Sequence, residues 1–204
     1  MAPVRAGKKL GKYTFWTVMG LAGISVLIWT DYPLLHTPSG YRTKLIHDHL
    51  FLIPHAIAGV LATVLGPFQF STRFRQRHLA WHRLMGKVYV VAVCLAAPMV
   101  LLLSRGFSVL DQVAGDTQAG IWLLCTLCAF LTARNRQITV HRQWMIRSYA
   151  FTLNFIFSRV LNPIPAYFNL SDNAFSAVLF LLTISYLVVT DVGFRWRELT
   201  HERA

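Results

Sequence analysis

The apolar residues of this chain come in long blocks, not in the short amphipathic stripes of a soluble helix. A helix needs roughly 20 mostly apolar residues to cross the hydrocarbon core of a bilayer. Blocks of about that kind lie at residues 13–30, 49–68, 88–103, 118–133, 145–161 and 174–192. They take up most of the 204 residues, and charged residues are only 14% of the total; soluble domains carry about 25%. The reading is an all-α polytopic transmembrane bundle of about six spans, a single integral-membrane domain over residues 1–204. It leaves no room for a soluble catalytic domain, so any chemistry sits within the membrane or in short loops.

Charge sets the direction of the spans. Lys and Arg collect on the cytoplasmic side of membrane proteins. With the N-terminus inside, the inner segments hold Arg5, Lys8, Lys9, Lys12, Arg73, Arg75, Arg77, Arg83, Lys87, Arg134, Arg136, Arg142, Arg147, Arg195, Arg197 and Arg203. The outer loops hold only Arg42, Lys44 and Arg105, beside Asp31, Asp48, Asp111, Asp116 and Asp172. Both termini are therefore expected in the cytoplasm. The net charge of +12 is accounted for by this rule, and no nucleic-acid partner is expected. The first block is longer than the apolar part of a secretory signal and no small-residue cleavage site follows it, so it reads as a retained helix. Residues 31–48, with Pro33, Pro38 and Gly40, read as the longest outer loop.

Cys94, Cys125 and Cys128 all fall in apolar blocks. Three cysteines there make no disulfide framework, and the Cys125-Thr-Leu-Cys128 spacing lacks the βαβ setting of a redox motif. Small core residues are the expectation.

Ionisable side chains inside a span are expensive and raise a functional hypothesis by default. His55 and Arg159 are two of these, and both lie toward the outer ends of their spans. His55, Gly59, Ala62 and Gly66 follow i, i+4, i+7, i+11, a strip of mostly small residues that lets another helix approach closely. In the fifth block Ser148, Thr152, Ser158, Arg159 and Asn162 share one half of the helix, with Asn154 at its margin. An outer polar pocket follows from this pattern; snorkelling of Arg159 and an ordinary interhelical bond of His55 are the plain alternatives.

A second polar level is expected at the inner face. His82-Arg83 opens the third span and His141-Arg142 the fifth, and the residues around them repeat in outline, which hints at a duplicated helix pair. Such an element suits three chemistries. Two neutral imidazoles can be axial ligands of haem b, with Arg on the propionates. His and Arg can hold a quinone headgroup. Basic pockets between helices can also hold anionic lipids. His78 and His82 have i, i+4 spacing, but no acidic or Cys partner stands beside them, so no metal site is expected. Trp81, Trp144 and Tyr89 read as an interfacial aromatic belt.

The run Gly66-Pro67-Phe68-Gln69-Phe70, then Arg73, His82-Arg83-Leu-Met-Gly86-Lys87-Val-Tyr89, and finally His141-Arg142-Gln-Trp144-Met145-Ile-Arg147-Ser-Tyr149 with Arg159, resembles a family of predicted multi-pass bacterial membrane proteins catalogued as domain of unknown function 2306. The similarity runs from about the second span to the sixth. It implies a helical bundle in a bacterial cell (inner) membrane and no particular activity. It marks His55, His82, Arg83, His141, Arg142, Arg147 and Arg159 as family-type polar positions. Lys87 stands where Arg is commoner in that pattern, which keeps the charge but not a two-pronged contact.

The leading functional reading is a redox-associated protein that binds haem b or a quinone, as an accessory of a larger membrane complex and not an enzyme on its own. The alternatives are a structural subunit that holds partner helices and anionic lipid, or a small transporter. Against transport, Asp191 is the only acidic residue within a span, and broken helices at midplane are not evident. No glycine-rich phosphate loop, nucleophile elbow or zinc-protease motif occurs in the chain.

Overall fold

A computed structural model describes residues 40–105, 107–161 and 171–201, with Thr17 and Leu21 besides. The first apolar block, residues 13–30, therefore lies outside the described residues except at those two positions. Six helices run through the described parts: α1 Gly40–Phe70, α2 Thr72–Arg77, α3 Leu79–Leu103, α4 Val109–Arg134, α5 Ile138–Leu161 and α6 Asp172–His201. Among the described residues there is no strand. The chain divides into two compact units, one of Leu45–Phe155 with Leu170–Ala204 and one of Met1–Lys44 with Ile156–Asn169. The second is described mainly at its helical ends, 40–44 and 156–161.

Four of these helices are long and apolar enough to cross a membrane, at Leu50–Phe70, Leu79–Leu103, Val109–Arg134 and Ala174–Arg195. Their exposed faces are apolar: Leu50 on α1, Val91 on α3, Leu124 on α4 and Val189 on α6 all stand open. In water such surfaces would be unstable; against lipid chains they are the expected outside. Helix α5 is not among the four. His141, Arg142, Arg147, Ser148, Thr152 and Asn154 interrupt its apolar run, and it buries those hydroxyl and amide groups against its neighbours instead.

The helices run past the expected boundaries. Residues 40–48 belong to α1, so the outer loop expected at 31–48 stops short at Gly40. The third span begins at Leu79, nine residues before position 88, and the fourth at Val109, nine before 118. These added turns carry charged residues among their apolar ones (Lys44 and Asp48, Arg83 and Lys87, Asp111 and Asp116), so an apolar-block reading could not include them. Serines start three of the helices. Ser71 Oγ accepts from the Phe74 amide, and Ser108 Oγ accepts from the Asp111 amide while donating to the Asp111 carboxylate at 2.9 Å. Ser171 Oγ accepts from the Ala174 amide at 3.4 Å. Each satisfies an amide that the first turn leaves unpaired. Helix α4 ends differently: Gln137 N–H reaches the Thr132 carbonyl and Arg136 N–H the Ala133 carbonyl. That is the Schellman arrangement, with Arg136 at φ 61 where glycine is usual.

The core is built mainly of small residues. Ala58 and Ala62 of α1 meet Tyr89, Ala92, Val93 and Ala96 of α3, with Ala129 of α4 and Met145 and Tyr149 of α5. Lipid supplies no hydrophobic drive for helices to associate, so close backbone approach and interhelical hydrogen bonds must hold them. The strip Gly59, Ala62, Gly66 is buried, as its spacing predicts. Cys125 is buried, Cys94 and Cys128 are partly so, and all three are free thiols.

Candidate functional site

Two docking contacts position the polar groups. Pro67 has no N–H, so the Thr63 carbonyl four residues earlier loses its helical partner. The Tyr149 hydroxyl of α5 donates to that carbonyl at 3.1 Å. Gly66 makes the contact possible, because a Cβ there would come within 2.0 Å of the Tyr149 ring. Gly66-Pro67 and the Tyr149 motif are thus the two halves of one α1–α5 joint.

Deeper in the bundle, Tyr89 is fully buried. Its hydroxyl lies 2.7 Å from Ser148 Oγ and 2.8 Å from Thr152 Oγ1. Ser148 also meets Thr126 Oγ1 at 2.7 Å, and Trp122 Nε1 donates to Thr152 at 3.1 Å. Thr126 further reaches the Trp122 carbonyl, and Thr152 the Ser148 carbonyl at 3.2 Å. Four hydroxyl protons serve the five contacts among these hydroxyls and carbonyls, so one contact is always without its own. The long Thr152 contact is the natural one to yield. Every hydroxyl oxygen keeps at least one partner, which is the condition for polar groups in a dry interior. Tyr89 is therefore a core residue, not the belt residue expected from its place near the start of a span. Trp81 is 61% exposed and suits the belt; Trp144 packs against the core.

The inner polar level lies toward the α2 end of the same helices. His82 of α3 is within electrostatic range of His141, Arg75 and Arg83. The expected juxtaposition of the two His-Arg elements is present to that extent. His141 Nδ1 lies 2.8 Å from the Ala129 carbonyl in α4. A carbonyl only accepts, so this nitrogen carries the proton, and a neutral His141 presents a lone pair at Nε2. His82 Nδ1 is buried with no hydrogen-bond partner among the described residues, and so is Gln69 Nε2 at the end of α1. Gln69 rests on α3 one turn beyond His82: its Oε1 is 3.2 Å from where a Cβ of Gly86 would stand. Buried polar groups without partners are rare and call for an explanation. Here there are two of them among the described residues, an amide nitrogen of a side chain that rests on α3 and an imidazole nitrogen of α3 itself, the latter within electrostatic range of Arg75 and Arg83.

His78 does not share a helix face with His82. It is the junction between α2 and α3, at φ −135 and ψ 59, with its ring 5.6 Å from Phe74. Among the described residues no three His, Cys, Asp or Glu side chains come together as a metal site would need.

The remaining expected positions separate. Arg83 and Arg142 are exposed. Arg147 leaves the cluster for α6, where Nε and Nη2 both meet Asp191 Oδ1, at 2.9 and 2.5 Å. Its guanidinium is also 4.8 Å from the Trp144 ring and 5.0 Å from that of Phe194. Asp191 is half exposed, so the ion pair contributes modestly, and stacking on two rings adds to it. We expect Arg147→Ala to lower the thermal midpoint of the purified protein more than Asp191→Asn, because only the first also removes the stacking. Equal effects in a melt of both variants would show that the rings contribute nothing.

His55 is at the far level. Its Nδ1 lies 2.9 Å from the Ala96 carbonyl, and Ala96 is about 21 Å along α3 from His82 at 1.5 Å per residue. The side chain of Arg159 and all of Asn162 lie outside the described residues, as does the side chain of Ser158. Asn154 turns to α6, accepting from the Tyr186 hydroxyl at 2.9 Å. In the sequence Gln69 stands out only as part of a motif and Tyr89 only as a belt residue, and neither Trp122 nor Thr126 is singled out. The signal for all four is a polar atom within or at the end of an apolar block, the same signal that marks Ser148 and Thr152 in the fifth block.

A family model described as "Predicted membrane protein (DUF2306)" matches residues 52–191. No curated protein and no solved structure matches the chain.

Proposed function

The chain belongs to the DUF2306 family of predicted membrane proteins, and from that premise we propose that it is a quinone-binding, redox-associated protein of a bacterial inner membrane. On this reading it is a single integral-membrane domain of about six spans with both termini in the cytoplasm. Helix α5 serves as a span because its polar side is turned to other helices. The binding site is the inner polar level, and the protein acts as an accessory of a larger membrane complex.

The observation that carries this reading is the pair of unpartnered buried nitrogens, Gln69 Nε2 and His82 Nδ1. The Gln69 amide nitrogen can only donate, and the His82 nitrogen donates in one tautomer. Such donors call for an acceptor atom, and a quinone carbonyl oxygen is one that travels in the bilayer. Arg75 and Arg83, in electrostatic range of His82, would favour the extra negative charge of a reduced headgroup. His141 Nε2, left with its lone pair by the Ala129 contact, can accept from a quinol hydroxyl. Haem b is the second reading. It would use the lone pairs of His82 and His141 on iron, and the two donor nitrogens would then have to meet its propionates.

A quinone analogue titrated into the detergent-solubilised protein should bind, and His82→Ala and Gln69→Leu should each weaken it about tenfold, the worth of one hydrogen bond to a buried donor. An absorbance spectrum of the same preparation, oxidised and then reduced, decides between the two readings. A Soret band lost in both His82→Ala and His141→Ala would replace quinone by haem. Binding unchanged in both variants would remove the site.

A further inference from the structure

Helix α2 joins two apolar helices, so it is pinned where chain leaves and re-enters the membrane. It carries Arg73, Arg75 and Arg77 in six residues, and Arg83 and Lys87 follow on α3. From position 49 to 110 the sequence contains no Asp or Glu. None of these five cations has an ion pair or hydrogen bond among the described residues, and all but Arg75 are exposed. The contrast is Arg147, for which the protein does supply a carboxylate, Asp191. The apolar side of α2 is also provided for: Phe74 packs edge-on against Phe68 at 5.9 Å and beside His78. Trp81 and Leu79 stand open next to it, 61% and 48% exposed.

We propose that α2 and the first two turns of α3 form a docking surface for the headgroups of anionic phospholipids. Among the described residues the charges face no ion-pair or hydrogen-bond partner, and the aromatic and aliphatic side chains beside them suit the boundary of headgroup and acyl chain. Arginine offers paired donors to the oxygens of a phosphodiester, which makes it the more specific choice over lysine. Arg75 and Arg83 also border the proposed quinone site, so the test rests on Arg73 and Arg77, which take no part in it.

The test uses the full chain in neutral detergent, with its thermal midpoint followed as phosphatidylglycerol or phosphatidylcholine is added. Phosphatidylglycerol should raise the midpoint, and phosphatidylcholine should not. Each basic residue near an anionic surface contributes about a fivefold gain in affinity. Arg73→Gln with Arg77→Gln should therefore raise the half-saturating phosphatidylglycerol concentration about 25-fold, while Arg73→Lys with Arg77→Lys should keep most of the response. Both positions are exposed, so the variants should fold; if the double Gln variant does not, either single variant should show the fivefold step. An equal response to phosphatidylcholine, an unchanged response in the Gln variants, or the same stabilisation by inorganic phosphate alone would overturn the proposal.

Discussion

Gly66→Ala should lower the thermal midpoint of the protein by about 10 °C. On an exposed helix the same change would help, by about 1 kcal/mol of helix propensity. Here the added methyl would come within 2.0 Å of a Tyr149 ring carbon. That ring has little freedom, since its hydroxyl bonds the Thr63 carbonyl and the ring also packs on Phe70, with centroids 5.4 Å apart. Overpacking of a tight contact costs about 1–3 kcal/mol, occasionally more, and losing the hydrogen bond adds about 1 kcal/mol. With the overpacking term at the top of its range, as a 2.0 Å approach requires, the net is about 3 kcal/mol, which at this chain length is a drop of about 6–12 °C. A second variant separates the joint from a general intolerance at position 66. In a Tyr149→Leu background, Gly66→Ala should become neutral or slightly stabilising. An equal loss in both backgrounds, measured by a fluorescence-detected melt, would show that Tyr149 is not what requires the glycine.

The second large effect is expected at Tyr89. Tyr89→Ala should cost about 3–5 kcal/mol, because an aromatic ring is removed from a fully buried position and the surrounding alanines can collapse only in part. Tyr89→Phe should cost only about 1–2 kcal/mol. Its two hydrogen bonds are lost, yet Ser148 keeps Thr126 and Thr152 keeps Trp122, so no group is left alone. A Tyr89→Phe variant that melts as low as Tyr89→Ala would mean that the hydroxyl network, not the ring, holds the centre. The belt assignment predicts something else again, a small change for both.

Much of this molecule was legible in its residues, and the reasons are local. A block such as 88–103 can only be a buried or spanning helix, and its lack of charge says which medium surrounds it. The small-residue strip of α1 was readable because helix spacing alone decides which positions share a face. The repeated surroundings of the two His-Arg elements suggested equivalent positions, and of these His82 and His141 lie within electrostatic range of one another. What could not be read were pairings across helices. Arg147 looked like a member of the inner cluster, since nothing local reveals that α6 brings Asp191 to its guanidinium. Tyr89 looked interfacial because it follows a basic segment, but the helix starts nine residues earlier than the apolar run and so carries Tyr89 inward. His78 and His82 had metal-like spacing only if one helix contained both, and the chain breaks at His78.

The long apolar blocks by themselves determined the fold class and the medium, because hydrogen-bonded helices satisfy the backbone without any help from partners. Tertiary structure alone decided which polar groups were already provided for. Tyr149 meets a carbonyl that Pro67 sets free, Tyr89 is held by three neighbouring hydroxyl and indole side chains in direct or shared contact, and Arg147 has its carboxylate. Among the described residues Gln69 Nε2 and His82 Nδ1 are left over. The physical reason is that a hydrogen bond between helices depends on distance and direction, which sequence spacing does not carry across a loop.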